Sequence, residues 1–390
     1  MKSYLSASDT FKSVFSISMS QFGLAFCFNT VMSFMPFYIT LVSPYPAHET
    51  MLWIGLIIGL TSLISAAAAP IWGSLTSKIQ PKALFQWAFF VNAIIFLLMG
   101  FTANLPLLLA LRLIQGALGG ASTIGLFMVS EISSRDRLAG NLSLFQNSIT
   151  AGQLLGPPVG AYLASHLGYK SPFVFSFVLV ALCLLLCHIY VAEMDIREMA
   201  RNQKLPLDRG FLWGGGLILI ATIHLTFLPS ILPHILQGFG LTGERALKSA
   251  GFIMMGYTAT AIAGSYVINR MTPRAKRVGV IAGVCLTAAF FQTFLLVTQD
   301  VVSFTIIRMI QAGIIAAAIP LVMASFAPGM GGAGIGFLNS ARLAGNAVGP
   351  LMATSILAIS NLLTLYLLVS ILTIGILLAF WITNGRRKVV

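Results

Sequence analysis

The amino-acid sequence predicts an all-α, polytopic membrane protein with 12 transmembrane helices arranged as two pseudo-symmetric six-helix bundles. Three observations support this fold class: the composition, the number of long apolar runs and an internal repeat. Of the 390 residues, 57% are hydrophobic and only 8% are charged, whereas soluble domains contain about 45–50% apolar and about 25% charged residues. So few charges cannot cover a water-exposed surface. The composition therefore excludes a soluble enzyme, a disordered chain and a disulfide-stabilised scaffold.

Twelve apolar runs are long enough to cross a bilayer, since a membrane helix needs about 20 mostly apolar residues. The linkers between the runs are short, and the longest separates the sixth run from the seventh. We therefore predict an N-terminal six-helix bundle at residues 1–192, a cytoplasmic linker at 193–210 and a C-terminal six-helix bundle at 211–390. The predicted spans are residues 14–41, 52–72, 84–101, 106–129, 139–164, 171–192, 211–236, 247–268, 278–298, 303–323, 333–357 and 362–382.

The basic residues predict how the chain is oriented in the membrane. Seventeen of the 23 Lys and Arg residues fall in the tails and loops of one side, and only Lys170, Arg245 and Lys248 fall on the other. Cytoplasmic loops carry the excess of Lys and Arg, so both termini are predicted to be cytoplasmic. This placement also explains most of the net charge of +13 without a nucleic-acid partner.

Landmarks of the first half recur in the second half at a nearly constant offset. The offset is 196 residues for an Arg-x-x-Gln pair and 193 residues for a Gly-x-x-x-Gly-Pro string. Because each half has an even number of spans, the two halves run parallel, as in transporters that bind substrate near the middle of the membrane. The paired residues are Arg112 with Arg308, Gln115 with Gln311, Gly152 with Gly345, Gly156 with Gly349 and Pro157 with Pro350.

The sequence resembles the major facilitator superfamily of transporters. Within it, the twelve-helix drug:proton antiporter branch and its MdtG-type multidrug efflux proteins are the most similar. The resemblance covers essentially the whole chain and rests on the segments Phe34–Tyr38, Arg112–Gly120, Gly152–Gly160 and Arg342–Pro350. It implies the major facilitator fold, a location in the bacterial cytoplasmic (inner) membrane, and proton-coupled export of small amphiphilic molecules by alternating access. It also implies that Arg112 takes part in proton coupling.

One family motif departs from its usual form in the loop between the second and third spans. The family reads roughly Gly-x-Leu-Ala-Asp-Arg-x-Gly-Arg-Arg/Lys, and the corresponding positions here include Gly73, Ser77, Lys78 and Lys82. Ser77 stands at the position of the family's Asp, which normally joins a charge network that closes the cytoplasmic side. Because this loop lacks the Asp, it cannot close the cytoplasmic side through that charge network.

Three arginines, Arg112, Arg308 and Arg342, lie inside predicted spans. A charged side chain within a membrane is costly and usually faces the bundle interior or a water-filled cavity. We predict that they bind substrate or couple its transport to protons, together with Gln115 and Gln311. A structural role, in which each Arg caps carbonyl groups or extends to the interface, stays open. Further polar positions that could line a cavity are Asn29, Gln146, Tyr257, Asn339 and Asn346.

No acidic residue lies in the middle of a predicted span, although proton antiporters commonly use a buried carboxylate whose pKa is raised. Glu131 at the inner end of the fourth span and His224 in the seventh span are the candidates for proton transfer. An interfacial acid and a packing histidine are their respective alternatives. Three cations without a fixed anion favour anionic or zwitterionic substrates. The alternative function is therefore a dedicated carrier of an organic anion, such as a carboxylate siderophore or metabolite, in either direction.

The glycine strings predict close helix contacts. Gly152, Gly156 and Gly160 share one face of the fifth span, and small residues let membrane helices approach closely, while Pro157 removes a backbone hydrogen bond. We predict that this string, with Gly349 and Pro350 in the eleventh span, forms a gating helix seam that seals the two halves. Ordinary packing of small residues is the alternative.

The chain carries no nucleotide-binding or hydrolytic signature. Its four cysteines are scattered among the spans without the partners that a metal site needs. We therefore predict a transporter rather than an enzyme, with no metal and no cofactor. The predicted partners are a small-molecule substrate, protons and the lipid bilayer, and the fold predicts a monomer.

Overall fold

The computed structural model describes residues 7–76, 78–133, 137–191, 193, 209–326 and 332–384, and the regular structure of these residues is helical. The first seven helices are α1 Ala7–Val42, α2 Ala47–Leu75, α3 Pro81–Gly100, α4 Leu105–Leu118, α5 Ala121–Ile132, α6 Leu138–Leu167 and α7 Ser171–Tyr190. The other eight are α8 Arg209–Thr226, α9 Leu228–Gly238, α10 Gly243–Met271, α11 Arg277–Phe294, α12 Val301–Ile315, α13 Ala318–Phe326, α14 Gly332–Ile359 and α15 Leu362–Asn384.

The helices have the length and the surface of membrane spans. Eleven segments within the described ranges are long and apolar enough to cross a bilayer. Helix α6 is not among these eleven segments, and it coincides with the fifth predicted span. Large apolar side chains such as Phe252, Phe290 and Ile371 are each 63% exposed. A water-soluble protein rarely exposes apolar surface on this scale, whereas lipid accommodates it. The prediction of an all-α multi-pass membrane protein is confirmed.

The described residues divide into two compact units. Unit 1 contains Met1–Ser43 and Ile64–Ala200, and unit 2 contains Pro44–Leu63 and Arg201–Val390. The start of α2 belongs to unit 2 because its small residues lie directly against α14: a Cβ on Gly59 would come within 2.7 Å of Leu351 Cγ. Most of the predicted linker at 193–210 lies outside the described residues.

One long helix is central to the core of each unit. In unit 1, α1 packs against α5, α6 and α7, and the Phe34 and Phe173 rings meet with centroids 5.2 Å apart. In unit 2, α8 packs against α14 and α15, with Leu217 and Ile218 fully buried. All four cysteines, Cys27, Cys183, Cys187 and Cys285, are free thiols buried in these cores.

Helices α4 and α12 begin with equivalent side-chain caps. The Asn104 Oδ1 atom accepts from the Leu107 N–H at 3.0 Å, and the Asp300 Oδ1 atom accepts from the Val302 and Ser303 N–H groups at 2.8 and 2.9 Å. Such caps satisfy backbone donors that the first helical turn leaves unpaired. Hydrogen bonds from the Ser303 N–H and hydroxyl, and then from Val302, lower the pKa of the Asp300 carboxyl.

Three of the predicted spans are each formed by two consecutive helices in the structure. The fourth span forms α4 and α5 with a break at Gly119–Gly120, the seventh forms α8 and α9 with a break at Phe227, and the tenth forms α12 and α13 with a break at residues 316–317. Neighbouring side chains bond to the first and third breaks. The Trp72 Nε1–H donates to the Ala117 carbonyl at 2.8 Å, and Asn269 Nδ2 donates to the Ala317 carbonyl at 3.4 Å.

Replacing Trp72 with Phe is expected to destabilise unit 1, because the Ala117 carbonyl at the break would lose its indole donor. A buried polar group left without a partner costs about 1–3 kcal/mol. The thermal unfolding midpoint in detergent measures the loss. Trp87→Phe is the matched control, since Trp87 is 50% exposed and its replacement should leave the midpoint unchanged. Equal midpoints for the two variants would contradict the role of Trp72.

Candidate functional site

Unit 1 contains a buried cluster around Arg112 of α4, which is only 1% exposed. Its Nη1 donates to Gln115 Oε1 at 2.5 Å, and its Nη2 contacts the Met32 sulfur at 3.3 Å. Gln115 Nε2 in turn donates to Asn92 Oδ1 at 3.1 Å, and Asn92 Nδ2 donates to the Ala88 carbonyl at 2.8 Å. The predicted pair of Arg112 and Gln115 is therefore part of a chain of hydrogen bonds that ends on the backbone of α3.

Unit 2 contains the equivalent cluster around Arg308 of α12, which is fully buried. Its Nη1 donates to Gln311 Oε1, and its Nη2 donates to the His224 carbonyl at 2.6 Å. Gln311 Nε2 donates to Gln292 Oε1 at 2.7 Å. Arg, Gln and a second amide thus follow one another in both units, with the second amide on α3 in unit 1 and on α11 in unit 2.

The hydrogen bonds of His224 define its protonation state in this arrangement. Its Nε2 lies 2.8 Å from Thr373 Oγ1, and that hydroxyl donates its own proton to the Val369 carbonyl at 2.7 Å. His224 Nε2 is therefore the donor to Thr373. His224 Nδ1 lies 2.8 Å from Gln311 Nε2, from which it accepts, and 3.3 Å from Gln292 Oε1, whose donor is Gln311 Nε2 at 2.7 Å. These contacts describe a neutral imidazole with its proton on Nε2.

Aromatic rings face both guanidinium groups. The Arg308 Cζ atom lies 5.0 Å from the centroid of the Tyr257 ring and 5.2 Å from that of Phe227. In unit 1, Arg112 Cζ lies 4.9 Å from the Phe28 ring centroid. Cation–π contacts at these distances partly offset the cost of removing the charge from water. The structure therefore brings Arg308, Gln311, His224 and Tyr257, four of the predicted site residues, into one cluster.

The remaining predicted residues of unit 2 lie on α14 and make no hydrogen bond to the Arg308 cluster in the described part of the chain. The Arg342 side chain is exposed, and those of Asn339 and Asn346 are partly buried. Their predicted role in lining a cavity stays a prediction. Arg342 thus differs from the two buried arginines, both in its exposure and in lacking the glutamine three residues later.

In unit 1, three predicted residues lie apart from Arg112. Asn29 donates through Nδ2 to the Ala25 carbonyl of its own helix at 2.8 Å. The side chains of Gln146 on α6 and Glu131 near the end of α5 are exposed. None of the three joins the hydrogen bonds that link Arg112, Gln115 and Asn92.

The glycine strings pack inside each unit. A Cβ on Gly152 would lie 2.7 Å from the Phe26 nitrogen, and one on Gly156 would lie 2.7 Å from the Phe26 carbonyl oxygen of α1. In the structure this face packs against α1 of the same unit, and the predicted sealing of the two halves by this string stays a prediction. The absence of side chains is what allows α1 to approach so closely. Pro157 is buried within α6, which continues through it.

The eleventh span repeats this arrangement in unit 2. A Cβ on Gly349 would lie 2.6 Å from Thr226 Oγ1 of α8, and one on Gly345 would lie 2.6 Å from Thr222 Cβ. Pro350 is buried within α14. A gating role for these positions stays a prediction, and their observed contact is with α8.

The loop motif between α2 and α3 is partly described. Gly73 has open space around its Cβ position, and Lys78 is exposed. Lys82, in the first turn of α3, donates through Nζ to the His188 carbonyl near the end of α7 at 3.1 Å. Ser77 lies outside the described residues.

Four residues of the clusters were not among the predicted site residues: Asn92, Gln292, Phe227 and Thr373. Asn92 and Gln292 could have been found, because each is a single amide within an apolar run of its span. A polar residue in such a run needs a hydrogen-bond partner within the bundle. Phe227 and Thr373 carry no comparable signal, since similar residues occur throughout the spans.

Comparison with known proteins identifies relatives of the chain. A family model described as Major Facilitator Superfamily matches residues 17–350. The Multidrug resistance protein MdtG of Salmonella paratyphi A is 29% identical over 189 residues, which make up 46% of this chain and 47% of that protein. The MdtG of Salmonella arizonae shows the same identity and coverage. The match thus spans about half the length of these curated relatives.

Solved structures share the fold at low sequence identity. The human organic anion transporter MFSD10 superposes with a TM-score of 0.70 at 16% identity, covering 95% of this chain and 99% of that one. A bacterial homologue of the human lysosomal transporter Spinster gives 0.73 at 13% identity, covering 95% and 94%. The nucleoside transporter NupG gives 0.73 at 12% identity, covering 96% and 99%.

Proposed function

The chain belongs to the major facilitator superfamily, and from this premise we propose that it is a secondary active transporter that exports small amphiphilic molecules. We further propose that export is coupled to protons and proceeds by alternating access. In this proposal the protein is a monomer in the bacterial inner membrane, with both termini in the cytoplasm. The excess of Lys and Arg in the loops of one predicted side supports that orientation.

The observation that carries the proposal is the pair of buried Arg–Gln clusters, one in each unit. Arg112 and Arg308 are 1% and 0% exposed, and each donates to the glutamine three residues later on the same helix. An ionisable group retained inside a membrane protein at such cost is by default part of a transport or coupling pathway. The similarity to proteins named for multidrug resistance supports small amphiphilic molecules as the cargo.

A second candidate function is the carriage of an organic anion in either direction. The observation that favours it is the charge of the Arg308 cluster. No carboxylate within the described residues forms a salt bridge with Arg308, which donates to an amide oxygen and to a backbone carbonyl. An anionic cargo would supply the missing negative charge.

Proton coupling in this proposal rests on His224. The acids Glu131, Glu244 and Asp300 are exposed, and Glu49 has a side chain that is 46% exposed. None of these four carboxylates is in a position to exchange a proton from within a bundle. His224 is fully buried, and its imidazole is joined to Arg308 through Gln311, which contacts both side chains. It can therefore link a change of protonation to the position of the guanidinium.

A proton gradient is expected to drive transport in proteoliposomes that contain the purified protein. The cargo probes are ethidium, a lipophilic cation, and benzoate, an organic anion. Accumulation of ethidium against its gradient, driven by a pH difference and abolished by a protonophore, is expected for proton-coupled export. Protein-free liposomes are the control. Benzoate flux that ignores the pH difference, with no ethidium flux, would contradict the proposal and favour the anion carrier.

A further inference from the structure

The Arg308 cluster contains two buried hydrogen-bond donors that have no acceptor. Within the described residues, Arg308 Nε and Gln292 Nε2 lack any partner, although both side chains are fully buried. The orientation of the Gln292 amide follows from Gln311, whose Nε2 donates to Gln292 Oε1. Turning the Gln292 amide over would place two NH₂ groups face to face. The free groups are therefore both N–H donors, and what is missing is an acceptor.

In the equivalent cluster of unit 1, the nitrogen of the second amide, Asn92, has a hydrogen-bond acceptor. Asn92 is one methylene shorter than Gln292, and its Nδ2 reaches back to the Ala88 carbonyl of its own helix. Within the described residues, Gln292 Nε2 makes no corresponding bond to its helix and is buried without a partner. The two halves therefore share the Arg–Gln–amide order but differ in which amide is available to a ligand.

The charge of the cluster favours an anionic acceptor over a neutral one. Arg308 forms no salt bridge within the described residues. Burying an uncompensated charge costs several kcal/mol per ion, and the Tyr257 and Phe227 rings offset only a part of it. An anion that accepts from the free donors would compensate the guanidinium directly.

A cavity in unit 2 has room for an organic ligand, and two of its lining residues lie near the cluster. Its volume is about 450 Å³, within the range of about 300–1,000 Å³ typical of small-molecule sites. Phe304 and Tyr366 line it. Phe304 lies one helical turn before Arg308, and the Tyr366 ring packs 6.1 Å from the Phe227 ring that faces Arg308. Phe304 and Tyr366 therefore connect the lining of the cavity with the surroundings of Arg308.

We propose that the Arg308 cluster binds the carboxylate of an organic anion through Arg308 and Gln292, with the apolar body of the ligand directed towards the aromatic lining. The proposal rests on the second candidate function, the carriage of an organic anion, and it names a carboxylate as the group that the cluster recognises. Gln292 becomes a binding residue, and the Arg112 cluster, whose second amide is already paired, does not bind the carboxylate.

Equilibrium binding of benzoate to the purified full-length protein in detergent tests this proposal, with benzamide as the uncharged analogue of the same shape. Benzoate is expected to bind at least about 10-fold more tightly than benzamide, since a hydrogen bond to a charged group contributes about 1.5–3 kcal/mol. Gln292→Asn, which copies the amide of unit 1, and Gln292→Met, which removes the amide, are each expected to weaken benzoate about 10- to 100-fold and to leave benzamide unaffected.

Ser370→Ala is the control for general loss of packing between α11 and α15. Ser370 donates to the Ala289 carbonyl at 3.1 Å and lies outside the cluster, so its replacement should leave the affinity for benzoate unchanged. Equal affinity for benzoate and benzamide, no benzoate binding, or full benzoate affinity in both Gln292 variants would each overturn the proposal. Benzoate binding without proton-driven transport would instead overturn the proposed export and leave this inference standing.

Discussion

Replacing Arg308 with Lys is expected to reduce transport by roughly 10- to 150-fold, although the positive charge is kept. Arg308 donates at the same time to Gln311 and to the His224 carbonyl from two different nitrogens. The single ammonium of Lys cannot reproduce that fork. Losing one hydrogen bond to a charged group costs about 1.5–3 kcal/mol, which corresponds to this loss of rate if the arrangement is needed for every transport cycle.

The initial rate of ethidium or benzoate flux in proteoliposomes measures this effect. Arg270→Lys is the matched control, because Arg270 is an exposed arginine whose contact is the Tyr266 hydroxyl. Size-exclusion chromatography should show both variants to be folded. A rate for Arg308→Lys above half that of the wild type would contradict the role given to the two-nitrogen fork.

Replacing Gly160 with Val is expected to prevent unit 1 from folding. A Cβ at Gly160 would meet the Thr30 carbonyl oxygen and would lie 2.5 Å from Ser33 Oγ of α1. Overpacking of a tightly packed interior costs about 1–3 kcal/mol when side chains can move aside. Here the obstacle includes the backbone of α1, which cannot move without disturbing α5 and α7 as well. The loss is therefore expected to exceed that range and to consume much of the stability, which is about 5–15 kcal/mol for most proteins.

Fluorescence-detected size-exclusion chromatography of detergent extracts would show the loss as aggregation of the Gly160→Val variant. Gly283→Ala is the control, since a Cβ at Gly283 of α11 has open space around it. That exchange is expected to leave the monodisperse peak unchanged or to raise the unfolding midpoint, because Ala favours helix over Gly by about 0.8–1 kcal/mol. A monodisperse Gly160→Val variant with a wild-type midpoint would show that α1 and α6 are not in close contact.

The spans and the Arg–Gln pairs could be predicted from the sequence because both depend on local rules. An apolar run of sufficient length has no alternative but to cross the bilayer as a helix. A repeated Arg and Gln, three residues apart, share a helix face whatever surrounds them. Arg112 with Gln115 and Arg308 with Gln311 are accordingly hydrogen-bonded as neighbours within their helices.

The helix breaks could not be predicted, because equivalent residues behave differently in the two halves. Pro36 and Pro229 occupy matching positions at an offset of 193. Helix α1 continues through Pro36, whereas a helix ends and another begins just before Pro229. The difference lies in tertiary contacts: Phe227, at the break, packs on Arg308 and Tyr366, and a sequence pattern does not report such contacts.

The exposure of Arg342 and the hydrogen bond of Asn92 could not be predicted for a similar reason. Arg342 lacks the glutamine three residues later that follows Arg112 and Arg308, but that difference alone does not predict that its side chain is exposed. The Asn92 side chain is one methylene shorter than that of Gln292, and its nitrogen bonds to the carbonyl of Ala88, four residues earlier. The nitrogen of Gln292 has no acceptor within the described residues. Distances of this size follow from packing between helices and are not encoded in periodicity.

The burial of all four cysteines makes the natural chain ready for site-directed chemical labelling. Membrane-impermeant maleimides reach only thiols at the aqueous surface, and Cys27, Cys183, Cys187 and Cys285 are enclosed in the helix cores. A single cysteine introduced into a loop would then be the principal reactive site in folded protein. Reporter groups can therefore be attached one position at a time without first replacing four core residues, each of which fills space that an exchange would disturb.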